Sequence, residues 1–318
     1  MYLERRLIMR LCFGGHWLAF LWTVASGQGN LLKEAVAKAK SAKASVFELI
    51  YALNGMRASE TAQALKDGGM NRAIMCVFFP DGEKDAAPPM GDPLSDNDSL
   101  FQRAVDTFRE ALMFITQLQM VGIKIDLIVG PSCWVLGKEY NLPQEELNRR
   151  ILRFYKALEQ DLKTADVRVA IELLRGGEDH VIRKIDNAID IIDALNSIVG
   201  SRFGFHYDSF HFDERQFKQD VCIRRLGNRI MHLHINGSGR RPAGGEGDTI
   251  NWTGQNGILT GLKEVGVDGC VATNEPFCAL VRQSCAPLGA GLPDPVEEPD
   301  GMNITRQMLE KNGVEIIQ

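Results

Sequence analysis

The 318 residues, 45% hydrophobic and 24% charged, have the proportions of an ordinary globular protein, which excludes a disordered or fibrous chain. With 36 Lys and Arg against 41 Asp and Glu, the net charge of -5 gives no electrostatic reason to expect nucleic acid as a partner. Seven cysteines, at 12, 76, 133, 222, 270, 278 and 285, contain no C-x-x-C pair, so neither a disulfide framework nor a zinc ribbon is indicated and reduced thiols in the cytoplasm fit best.

From the N-terminus, the apolar run 17–25 is too short to cross a bilayer, which takes roughly 18 to 20 residues. Arg5, Arg6 and Arg10 precede it and Val24-Ala25-Ser26 imitates a cleavage site, but Glu4 among the arginines argues against a secretory signal and for a first strand with its loop. Short β-branched or aromatic runs then alternate with amphipathic stretches. Strands are predicted at 7–13, 45–51, 72–79, 124–129, 167–173, 202–207, 229–235 and 269–274, with helices at 99–120, 143–164, 180–195 and 214–226 among the intervening segments. Eight βα units at about 40 residues each predict a single (β/α)8 TIM barrel over residues 1–318, with no linker dividing it. Two connections are long: 80–98, with four prolines and six acidic residues, and 286–301, again with four prolines. Both follow strands, so both fall on the face where barrels build active sites, as lids or as surface insertions. The glycine-rich 244–247 lacks the lysine of a phosphate loop and is expected to be a flexible connection leading to Trp252.

The chemistry concentrates at the ends of the last four strands, which deliver Glu172, Asp208, His234 and Glu275 at separations of 36, 26 and 41 residues, one βα unit each. Any one of these has a bland explanation as a loop residue, helix cap or packed histidine. Together they differ, because neighbouring strands of a closed barrel bring their ends to one point, where three carboxylates would repel unless a cation joined them. Three oxygens and one nitrogen suit a single divalent ion, Mn2+, Mg2+ or Co2+ ahead of Zn2+, at about 2.0 to 2.4 Å. His206 and His232 lie two residues before Asp208 and His234. By strand alternation they should point inward one layer below, as residues that orient the ligands.

Four segments, Ile-Glu-Leu-Leu-Arg-Gly-Gly-Glu at 171–178, Tyr-Asp-Ser-Phe-His at 207–211, His-Leu-His-Ile-Asn-Gly-Ser-Gly-Arg at 232–240 and Asn-Glu-Pro-Phe at 274–277, resemble the xylose isomerase-like barrels. Within these the resemblance is to the ketose 3-epimerases related to D-tagatose and D-psicose 3-epimerase. It implies that Glu172, Asp208, His234 and Glu275 bind the metal, that Glu172 and Glu275 also act as acid and base, and that Glu178, His211 and Arg240 contact the sugar. Two stretches depart from the family pattern: the segment between Glu172 and Glu178 is less bulky and polar, and Gly237 and Ser238 stand where a glutamate and a cysteine are common. Both bear on which sugar is accepted.

The chemistry expected is proton exchange beside a ketone through a metal-bound cis-enediolate, with one carboxyl group on each face of the carbon. The same scaffold also serves aldose-ketose isomerases, hydroxypyruvate isomerases and inosose dehydratases, and the sequence leaves these open. A DNA-repair endonuclease of the superfamily is disfavoured: the third and fourth strands end in Phe79-Pro80-Asp81 and Pro131-Ser132-Cys133-Trp134 without extra histidines, and no basic stripe is present. The expected partner is a small sugar rather than nucleic acid or a membrane, and a homo-oligomer is compatible.

Overall fold

A computed structural model describes residues 9–16, 30–51, 57–80, 89–275 and 300–317. The run 17–25, Arg5 and Arg6, Cys278, Cys285, and 286–299 of the second long connection lie outside the described residues.

In chain order the elements are β1 (Met9–His16), α1 (Asn30–Ser41), β2 (Val46–Ile50), α2 (Ala58–Asp67), β3 (Arg72–Cys76), α3 (Asp98–Met120), β4 (Lys124–Gly130), α4 (Gln144–Ala157), α5 (Glu159–Ala165) and β5 (Arg168–Glu172). There follow α6 (Ile185–Val199), β6 (Phe203–Asp208), α7 (Ser209–Glu214), α8 (Gln219–Leu226), β7 (Ile230–His234), α9 (Ile258–Glu264), β8 (Val271–Asn274), α10 (Asp300–Lys311) and β9 (Val314–Ile317). Strands β2 to β8 pair in sequence order and β1 closes the circle between β8 and β2, every pairing parallel, so the eight strands form the expected (β/α)8 barrel. The ninth strand is an addition the sequence pattern missed: Val314–Ile317 pairs in parallel with Met9 to Cys12, below the point where β2 takes over the same edge of β1.

Alternation along each strand sorts the apolar side chains into two sets. Val46, Ile50, Ile74, Cys76, Leu127, Val129, Ala170 and Val271 form a small cluster inside the barrel, while the opposite faces of the strands pack against the helices. In that outer layer Phe154 of α4 lies edge-on to Phe79, Phe101 and Phe108 at centroid distances of 5.9, 6.4 and 5.7 Å. Such pairs contribute roughly 0.5–1.5 kcal/mol each beyond their burial, anchoring α3 and α4 to the sheet.

Three predicted helices have different bounds. The stretch 143–164 is two helices, because Leu158 leaves helical geometry (φ -103, ψ 1) and the chain bends there. The helix expected from 180 starts at Ile185, since the Asp179 carboxylate accepts the N–H groups of Val181 and Ile182 in a tight turn and pairs with Arg215. The stretch 214–226 is interrupted by Gln216 at φ 55, so α8 begins only at Gln219.

The described end of the first long connection, 89–98, is fastened down. Buried Asp92 accepts from Lys138 Nζ (2.7 Å) and Tyr140 Oη (2.8 Å), and Arg150 donates to the Leu94 carbonyl (2.6 Å). Among the described residues Cys12, Cys76, Cys133, Cys222 and Cys270 are free thiols, and no helix is long and apolar enough to cross a membrane.

Candidate active site

Glu172, Asp208 and His234 end β5, β6 and β7, and Glu275 follows β8. All four are buried. His234 Nδ1 lies at their centre, 3.2 Å from Glu275 Oε2, 3.5 Å from Asp208 Oδ2 and 3.9 Å from Glu172 Oε1. The structure thus brings together the four residues that the strand ends pointed to.

Local contacts fix each carboxylate. Asp208 divides its oxygens: Oδ1 accepts the Phe210 N–H (2.7 Å) as the cap of α7, leaving Oδ2 to face His234 and Arg240. Glu275 is set by its backbone, whose N–H donates to the side-chain oxygen of buried Asn236 (2.9 Å). Arg240 stands in left-handed backbone geometry (φ 62) directly after Gly239, which also has φ 62, and this tight turn sends its guanidinium back into the barrel. There Nη1 donates to Asp208 Oδ2 (3.0 Å) and to Glu275, and the guanidinium lies 4.2 Å from the centroid of the Phe210 ring.

His211 completes this side. Its Nδ1 accepts the Arg175 N–H (3.0 Å), and burial pulls the imidazole pKa down to about 3 although Asp208 opposes the shift. A neutral ring accepting at Nδ1 carries its proton on Nε2, which lies 3.6 Å from both Glu172 Oε1 and Asp208 Oδ2. Arg240 Nη2, 3.1 Å away, faces a second donor, so its anchors are the carboxylates and not His211. Glu178 sits at the rim, one-fifth exposed, accepting from Arg175 Nε (2.9 Å) with Oε2 3.9 Å from His211 Nδ1.

The electrostatics follow from crowding acids in a dry space. Burial, reinforced by Asp208 and Glu275, pushes the Glu172 carboxyl well above the usual range despite His234. For Asp208 burial acts in the same direction, but Arg240, His211 and His234 outweigh it and hold the group well below. His234 is driven well above its ordinary value because Glu48 and Glu275 overcome its desolvation.

Both lower histidines point inward. His206 packs edge-on against His234 and His232, at centroid distances of 4.0 and 4.5 Å, and its Nδ1 is 3.5 Å from Glu172 Oε2. Burial and the two neighbouring histidines hold it well below its ordinary pKa, as a neutral ring. His232 donates from Nε2 to Glu48 Oε2 (3.0 Å). Sequence reasoning missed Glu48 altogether. Its one signal was a carboxylate in the middle of the apolar run 46–50, and the partner it finds lies 186 residues away.

The departure at Gly237 also has a structural reason. A Cβ there would come within 2.8 Å of the Asp248 carboxyl carbon, so Asp248 occupies the space a side chain would need. That carboxylate accepts from Ser238 N (2.9 Å), Gly244 N (2.7 Å), Ile250 N (3.0 Å) and Trp252 Nε1 (2.6 Å). The glycine-rich 244–247 connection, expected to be flexible, is instead tied down at its start and just beyond its end.

The donor set fits a hard divalent cation. Asp208, His234 and Glu275 offer ligand atoms within 4.8 Å of one another, as do Glu172, Asp208 and His211, and a third such group is His206, His232 and His234. Arg240 and His234 already face these carboxylates, and a bound cation would add positive charge where Glu172, Asp208 and Glu275 crowd together away from water.

Carboxylates and an imidazole gathered at the C-terminal ends of the strands make the mouth of this parallel barrel a candidate metal site, at the end where such barrels build their active sites. The model of the family described as xylose isomerase-like TIM barrel matches residues 36–302, and the chain belongs to that family. It is similar to D-psicose 3-epimerase of Enterocloster bolteae, 26% identical over 183 residues, which are 58% of this chain and 57% of that one; the chain thus spans little more than half the length of that curated relative. Among solved structures it resembles D-allulose 3-epimerase from Methylomonas sp. in complex with D-allulose, with a TM-score of 0.74 and 16% identity over 95% of this chain and 97% of that one. D-psicose 3-epimerase with D-tagatose from Clostridium cellulolyticum H10 is equally similar in fold, with a TM-score of 0.74 and 14% identity over 96% of this chain and all of that one.

Proposed function

We propose that the chain is a divalent-metal-dependent ketose 3-epimerase, a single barrel domain over residues 1–318 that acts on a small sugar in the cytoplasm. The observation that carries this reading is the convergence of Glu172, Asp208, His234 and Glu275 around one buried point. The relatives that turn over or bind D-psicose, D-allulose and D-tagatose, as their names state, favour a ketose over the substrates of the other enzymes on this scaffold.

A divalent cation held by those four residues, Mn2+ first among the candidates, would stabilise negative charge on the carbonyl and neighbouring hydroxyl oxygens of the sugar. The protein does the rest. Glu172 at the end of β5 and Glu275 just after β8 flank the Asp208 and His234 pair: one removes the C3 proton from one face, and the other delivers its own proton to the opposite face. Arg240 and the Nε2–H of His211 donate to sugar oxygens, and Glu178 accepts from a hydroxyl at the rim. The held position of each side chain spares reorganisation during the reaction.

The test is a panel of free ketoses incubated with the Mn2+-loaded protein and analysed for product. Conversion of a ketose to its C3 epimer is expected. An aldose product would replace the reading with an aldose-ketose isomerase, and loss of water would replace it with a dehydratase.

A further inference from the structure

Glu48 stands in the middle of β2, fully buried, on the inward face with Val46 and Ile50. Its side chain crosses the barrel to β7, with β1 and β8 lying between the two strands. Both of its oxygens are 3.1 Å from His234 Nε2, and Oε2 is also 3.0 Å from His232 Nε2. A carboxylate only accepts, so each Nε2 must carry the hydrogen. The neutral form of His234 then has its lone pair on Nδ1, and Nδ1 is the nitrogen that faces Glu172, Asp208 and Glu275.

We propose that Glu48 is a positioning residue for metal binding: it holds the His234 ring by Nε2, so that Nδ1 is presented as the ligating atom. Three observations support this. Glu48 is a carboxylate among Val46, Ile50, Ile74 and Cys76, where an ion without strong partners is costly. Its two oxygens straddle one Nε2, which fixes the tilt of the ring as well as its proton. His232, bound to the same carboxylate, keeps Glu48 from swinging away and gives that histidine an indirect part in the site. An imidazole whose far nitrogen is held by a carboxylate is a more basic and better aligned ligand, and losing such a partner typically costs about 10- to 100-fold in metal affinity.

This rests on the metal reading above, and the experiment separates the two. Mn2+ is titrated into the purified protein and free Mn2+ is read by electron paramagnetic resonance, for the wild type, Glu48→Gln and Glu48→Asp, with circular dichroism to verify folding. Gln keeps the shape but has one weak acceptor; Asp keeps the charge but withdraws it by one methylene. Both variants are expected to bind Mn2+ about 10- to 100-fold more weakly. Wild-type affinity in both variants would overturn the positioning role while leaving the metal site intact. Weak binding by Glu48→Gln but wild-type binding by Glu48→Asp would overturn it in favour of charge alone. Failure of the wild type to bind Mn2+ would overturn the metal reading and this role with it. If Glu48→Gln does not fold, the Glu48→Asp titration decides by itself, with undiminished affinity counting against the proposal.

Discussion

Glu172→Gln and Glu275→Gln are each expected to lower ketose epimerisation by at least about 10²-fold. Gln preserves the shape of the side chain and the oxygen that faces the site, but it can neither accept nor release the C3 proton at a useful rate. The two variants should differ in their side effects. Glu275 shares its carboxylate with Arg240, so Glu275→Gln also loosens the guanidinium and should raise KM for the sugar. Burial already pushes the Glu172 carboxyl toward the protonated form, so Glu172→Gln should act mainly on kcat. Steady-state kinetics at saturating Mn2+ decide. A variant retaining more than a tenth of wild-type kcat would remove that glutamate from the proton path.

Asp208→Asn is expected to abolish tight metal binding, by more than about 100-fold in affinity, since it alters a ligand itself and not a group that supports one. The substitution keeps the Oδ1 acceptor that caps α7 through Phe210, so folding should survive. It removes the charge that Oδ2 presents to Arg240 and His234 and leaves Arg240 with Glu275. Calorimetric titration with Mn2+ is the measurement. The loss should exceed that of either Glu48 variant, and an Asp208→Asn protein that binds Mn2+ like the wild type would exclude Asp208 from the ligand set.

The barrel was legible because its strands are short apolar runs separated by amphipathic helices, and the four convergent residues because each lies at or just after the end of one of the last four strands. Closure of a barrel turns that linear pattern into proximity without further information. What escaped was set by tertiary contacts. Val314–Ile317 belongs to no βα unit, and its pairing with the lower half of β1 is a contact over the whole length of the chain. The break at Leu158 carries no proline or glycine to announce it. The fixed 244–247 connection depends on Asp248, a single residue whose carboxylate gathers four donors. Glu48 is the clearest case: an isolated acid in a strand reads as a fault in the pattern until the fold brings His232 and His234 to it. The inward direction of His206 and His232 followed from alternation, but their partners did not, and the bond on His234 comes from Glu48.

Exchange of the carbon-bound hydrogen at C3 by side chains of this site is tested by incubating the Mn2+-loaded protein with D-psicose or D-tagatose in D2O. Nuclear magnetic resonance of the recovered sugars should find deuterium at C3 of substrate and product, and none after Glu172→Gln and Glu275→Gln are combined. Deuterium confined to C1 or C2, or no exchange with any ketose while metal is bound, would rule out epimerisation at C3 by this site.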